Sequence, residues 1–242
     1  MKLKVFSFVS SILLLASCSS STDSLVLREG DSNVNVKQHQ VVTEPEQWPG
    51  LKVVETYYVN EGKPVTVLGY RAQQHTVKAA DTVLWSLQPT STIYRLDWVL
   101  PVTEGFYKDN YLGMNNSDYG GGIPMVDIWD KNHGLAIGLF EPELHDISMP
   151  IEWKQYSNEV SMALAYSYPE PVTLNTGDTL FTFRTFMYEH HGDYFNALRT
   201  FSEYMQNVLG IAMPASEPEA FEPVWCAWGY ERTFTINEVI GT

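Results

Sequence analysis

The chain has 242 residues, of which 44% are hydrophobic, 13% aromatic and 18% charged. That composition excludes an intrinsically disordered chain and supplies enough apolar side chains for a full core with appendages. A formal net charge of −14 repels nucleic-acid phosphates, so DNA and RNA are excluded as partners, while a neutral ligand meets no such barrier.

Residues 1–18 read as an export signal rather than as part of the fold. Lys2 and Lys4 form its basic end and Val5–Leu15 its apolar stretch, which falls short of the ~20 residues that span a bilayer. Leu15-Ala16-Ser17-Cys18 matches the bacterial lipobox, in which the cysteine is acylated and becomes the new N-terminus. Cys18 is therefore the expected lipidation site, with Ser19–Ser24 as a tether. The expected location is the cell envelope of a Gram-negative bacterium, on the periplasmic or outer-membrane surface. Cys226 is the one other cysteine, so no disulfide is expected within the exported chain.

From Leu25 to about His190 the pattern is nearly all strand. Val34–Lys37, Leu51–Val59, Val65–Tyr70, Val83–Leu87 and Ile93–Leu100 are rich in β-branched and aromatic residues, as are Ile123–Trp129, Leu135–Phe140, Val160–Tyr168 and Leu180–Tyr188. Turn signals separate them at Asn60–Gly62, Lys131–Gly134, Tyr168–Pro171 and Asn175–Asp178. Short strands without intervening helices predict a large antiparallel sandwich. One helix follows, capped by Asp193, carrying Phe195, Leu198, Phe201, Met205, Val208 and Leu209 at helical spacing and stopped by Gly210. Ala212–Ala220 is rich in Pro and Glu and reads as a linker. Phe221–Thr242 then reads as a short buried strand, a polar turn and a helix start, with Thr235 and Glu238 spaced as a capping box. A strand feeding a helix opens an α/β unit. The predicted fold class is thus mainly β: an antiparallel β-supersandwich, one helix, and the first strand–helix unit of a truncated (β/α)8 barrel. The expected domains are the signal at 1–18, the supersandwich at 19–190, the connecting helix and linker at 191–220, and the barrel start at 221–242.

Asn115-Asn116-Ser117-Asp118-Tyr119-Gly120-Gly121-Gly122 is the loop with most to offer a ligand. Its glycines allow close backbone approach, and its polar side chains suit sugar hydroxyls, although a long polar hairpin loop has the same make-up. Asp127, Asp130 and Asn132 do not follow the spacing of a calcium loop, and Asp130–Gly134 is explained as a turn. Glu189-His190-His191 lacks zinc-motif spacing and reads as a solvated junction. No metal and no cofactor are expected. Trp225 and Trp228 point to opposite faces of their strand; one can pack outward while the other lies at a barrel mouth, or both can belong to the core.

Trp225-Cys-Ala-Trp228-Gly-Tyr230 and the run Tyr111–Trp129, in an order of sandwich, helix and barrel start, resemble family 36 type glycoside hydrolases, the α-galactosidase (melibiase) group of bacterial, Bacteroidetes-like type. That resemblance implies removal of terminal α-linked galactose from oligo- or polysaccharides with retention, by two Asp residues. Both lie on barrel strands beyond Thr242, so no catalytic residue is assigned within this chain. The first-strand aromatics Trp228 and Tyr230 are implied to line the sugar pocket, and Asp118 is implied to reach it from the sandwich. The implied partner is an α-galactoside; the lipobox adds a membrane through Cys18, and a homo-oligomer is left open. Alternatives are a glycosidase or transferase for another α-linked sugar, and a non-catalytic surface lipoprotein that binds glycans.

Overall fold

The computed structural model describes residues 23–31, 35–79, 83–88, 99–109, 111–112, 123–143 and 145–211. The chain divides into two units, Met1–Gly210 and Ile211–Thr242, and every described residue except Ile211 belongs to the first. The expected barrel start therefore lies outside the described residues.

Alternating apolar and polar residues make two antiparallel sheets. The seven-stranded sheet runs β1 (Ser24–Leu27), β4 (Val65–Lys78), β13 (Glu159–Leu174), β11 (Ile147–Ser148) and β8 (Tyr111–Leu112); β12 (Ile151–Trp153) also pairs with β13 and carries β7 (Tyr107–Lys108). The eight-stranded sheet runs β14 (Thr179–Phe181), β3 (Leu51–Asn60), β15 (Thr185–His191), β10 (His133–Leu139), β9 (Met125–Trp129), β5 (Leu84–Leu87) and β6 (Val99–Val102), with β2 (Val36–Thr43) also paired to β3. Val126, Ile128, Ile137 and Leu139 of this sheet meet Tyr70, Ile151, Met162 and Leu164 of the other in one apolar core.

All five residues of β9 are buried, because this strand is covered on both faces. Val126 and Ile128 face the other sheet, while Met125 and Trp129 face α1 (Tyr194–Asn207) in a second core with Leu51, Phe140, Phe186, Ala197 and Tyr204. Phe140 stacks on Tyr204 at 4.0 Å and on Phe186 at 4.3 Å between ring centroids, contacts worth about 0.5–1.5 kcal/mol each beyond area burial. Trp48 Nε1 donates to Glu203 Oε2 at 2.9 Å and so ties the start of the sheet to the helix. As expected, Asp193 caps α1, accepting from the Phe195 N–H at 3.1 Å, and Gly210 follows it in the left-handed region at φ +70°.

Several details differ from expectation. Phe195 and Val208 are 62% and 51% exposed; they sit in the first turn and at the C-cap, and the buried helix positions are Ala197, Thr200 and Tyr204. Tyr168–Pro171 is no turn but part of β13, where pairing jumps from Ser167↔Gly69 to Val172↔Val67. Pro169 and Pro171 need no ladder partner in that bulge. The run Leu180–Tyr188 is broken at residues 182–184 into β14 and β15. Asp23 is buried and Ser24 begins β1, so the expected tether runs two residues too far.

A polar network joins the sheets inside the sandwich. A bulge in β4 between Ala72 and His75 puts Gln73 at φ +50°, a conformation unusual for a residue with a side chain. Its N–H donates to Asp23 Oδ1 at 3.0 Å, and its amide donates to Thr185 Oγ1 of the opposite sheet at 2.9 Å. Gln40 and Thr56 donate to Asp23 Oδ2 at 2.9 and 3.1 Å. His75 Nε2 donates to Gln73 Oε1 at 2.9 Å.

Burial first, and the Lys52 charge second, lower the pKa of His75 to about 4. The folded state therefore refuses a proton that the unfolded chain takes up near pH 6.5. Stability is fully present above that pH, falls by up to about 3 kcal/mol as pH drops toward 4, and levels off below. Urea unfolding of wild type and His75→Gln at steps from pH 7 to pH 4 should show a shallower decline in the variant. Parallel curves would remove His75 as the cause.

Candidate functional site

Small residues on the outward positions of β13 create a recess. Ala163, Ala165 and Ser167 alternate with the inward Met162, Leu164 and Tyr166, and form the floor of an open cleft of about 430 Å³ on the seven-stranded sheet. Around them stand Arg71, Tyr107, Asp109, Asp146, Ser148, Pro150 and Glu152. Register places these groups: Arg71 pairs with Ala165, Ala165 with Ser148, and Ser148 with Tyr111, so one level crosses four adjacent strands. Tyr107 sits opposite Glu152. The Ser148 hydroxyl donates to Asp109 Oδ1, which orients that carboxylate. The walls thus hold one guanidinium, three carboxylates, a hydroxyl and an aromatic ring, a set suited to a ligand rich in hydroxyl groups.

Tyr111 and Leu112 form β8 beside β11. Asp118 itself lies outside the described residues, as do Trp228, Tyr230 and Cys18. The cleft was missed in the sequence; its one signal was the small–large alternation from Ala163 to Ser167.

A second feature was misread. His190 is no solvated junction: it lies under the N-terminal end of α1, and its Nε2 is 3.0 Å from both carboxylate oxygens of Asp127, with both side chains fully buried. Register puts Gly134 of β10 opposite His190, where a Cβ would stand 2.3 Å from the imidazole. Glycine is needed there for the ring to fit. Burial is the largest influence on both groups and raises Asp127. Burial alone would lower His190, but the hydrogen bond and charge of Asp127 outweigh it, so the imidazole holds its proton to higher pH than usual. Asp130 instead closes the β9–β10 turn, accepting from the N–H groups of Asn132 and His133 at 2.6 and 2.9 Å, as the turn reading expects. Among the described residues no three His, Cys, Asp or Glu side chains gather as a metal site.

Removing one partner of the buried pair strands the other, at about 3–5 kcal/mol. Asp127→Ala and His190→Ala should each lose about that much in urea unfolding, and the double variant less than their sum. Single variants within 1 kcal/mol of wild type would show that the pair contributes little to the stability of the sheet.

No family model matches the chain. In sequence it is similar to an A type blood α-D-galactosamine galactosaminidase of Flavonifractor plautii, 24% identical over 230 residues, covering 84% of this chain and 20% of that protein. In structure it is similar to a variant of the GH36 α-galactosidase AgaA of Geobacillus stearothermophilus in complex with stachyose, with a TM-score of 0.53, 13% identity, and coverage of 72% of this chain and 24% of that one. An AgaA variant in complex with raffinose gives a TM-score of 0.52 at 14% identity, covering 72% and 24%. The GH36 α-galactosidase AgaB of the same organism gives 0.51 at 14%, covering 69% and 23%. The chain thus spans 20–24% of the length of these relatives. In fold, the described β-sandwich is similar to part of these GH36 α-galactosidases.

Proposed function

We propose that this chain is the front part of an exported glycoside hydrolase that removes terminal α-linked galactose with retention of configuration. The observation that carries the reading is the coincidence of two likenesses: sequence similarity to a galactosaminidase over 84% of the chain, and a sandwich shared with GH36 α-galactosidases that were crystallised with raffinose and stachyose. Retention needs a nucleophile and an acid/base carboxyl about 5 Å apart. In this reading both belong to barrel strands past Thr242, Trp228 and Tyr230 wall the galactose pocket, and Asp118 reaches it from the sandwich. The likeness to the galactosaminidase carries a second reading, in which α-linked galactosamine replaces galactose.

Incubation with aryl α-galactoside and aryl α-galactosaminide tests both. A chain extended through the barrel should turn over one of them, and the relative kcat/KM decides which sugar. The 242-residue chain should not exceed a buffer blank. Turnover by the short chain, or none by the long one on either substrate, would overturn the proposal.

Cys18 is proposed to carry the lipid that holds the protein on the cell envelope, with Leu15-Ala16-Ser17 ahead of it as the processing signal. Among the described residues no helix is long and apolar enough to cross a membrane. Labelled fatty acid fed to an expressing bacterium should enter the wild type and be absent from Cys18→Ala. Equal labelling of the two would refute the anchor.

A further inference from the structure

We propose that the cleft on the seven-stranded sheet itself binds sugar, accepting the end of a glycan that carries no negative charge. The idea rests on the carbohydrate reading above for its class of ligand, and on the cleft's own shape and charge for the rest.

Size comes first. At about 430 Å³ the recess falls within the range of small-molecule sites, roughly 300–1,000 Å³. Its floor is made by Ala163, Ala165 and Ser167, whose short side chains leave a shallow trough. Groups on the walls divide the work of recognising a polyol. Arg71 offers a planar fork of donors that suits neighbouring hydroxyl oxygens. Asp109, Asp146 and Glu152 supply acceptors for hydroxyl protons. Tyr107, 62% exposed on the rim, presents a ring face to the C–H side of a pyranose.

Placement favours rigidity over adaptation. Arg71, Ala165 and Ser148 sit at one level of three hydrogen-bonded strands, and Asp109 is held by the Ser148 hydroxyl. A carboxylate so held loses little entropy when a ligand arrives. Charge then sets the class. One cation faces three carboxylates, so a uronic acid or a phosphorylated sugar is repelled, whereas hydroxyls of a neutral sugar find partners of both kinds.

The 242-residue chain is titrated with stachyose and, separately, with trigalacturonate, by calorimetry or ligand-observed NMR. Stachyose should bind saturably. Arg71→Ala should weaken it about tenfold or more, the cost of losing charged hydrogen bonds. Ala165→Trp, which fills the floor from the outer face, should abolish binding while leaving the urea midpoint near that of wild type. If Ala165→Trp does not fold, Arg71→Ala carries the test. Trigalacturonate should bind at least about tenfold more weakly than stachyose. The proposal falls if stachyose does not saturate, if folded Ala165→Trp or Arg71→Ala binds as wild type does, or if trigalacturonate binds equally well. Because no turnover is measured, a failed cleft leaves the hydrolase reading intact, and a failed hydrolase leaves a bound sugar intact.

Discussion

The eight-stranded sheet is buried on both faces at its centre, and the arrangement of the chain depends on that. One face must match the seven-stranded sheet and the other the single helix, so β9 and β10 are apolar in both directions. A polar side chain there has no water to turn to and must find its partner within the layer. Asp127 and His190 meet that demand through each other, two strands apart across β10, and Gly134 provides the space between them. The ion pair is thus a product of double burial.

A similar demand shapes the other layer. The bulge at Gln73 shifts the parity of β4, so Tyr70 and Ala72 on one side of it and His75 and Val77 on the other all face inward. An unfavourable backbone conformation at Gln73 is offset by hydrogen bonds to Asp23 and Thr185 that link the sheets. With the core satisfied in this way, the outward face of the seven-stranded sheet is left without a packing role at Ala163, Ala165 and Ser167. Recognition can reside there without competing with stability.

Much of the sandwich was legible in the chain. Runs rich in β-branched and aromatic residues marked β3, β9, β10 and most of β13, and Asp193 with Gly210 bounded the helix. Local rules failed where partners came from far along the sequence. Pro169 and Pro171 signal a turn locally, but pairing with β4 on either side absorbs them as a bulge. His190 looked solvated beside Glu189 and His191 because Asp127, 63 positions earlier, leaves no local trace. The cleft was hidden for the same reason: Arg71, Ser148 and Ala165 become neighbours only through strand register. The Gly-rich loop was singled out by composition, which marks an unusual segment without telling what it reaches.

Asp23 has a consequence for where the sandwich can sit. Its carboxylate is the hub of the buried network, so the folded body begins there and not some residues later. From Cys18 to Asp23 the chain advances five positions, a leash of roughly 17 Å at full stretch, at about 3.3–3.6 Å per residue. With the proposed lipid on Cys18, the β1 end of the sandwich would lie almost against the headgroups, and glycans would have to be gathered from within a thin layer above the bilayer. Lengthening that leash would change which glycans are within reach without touching a single residue of the fold.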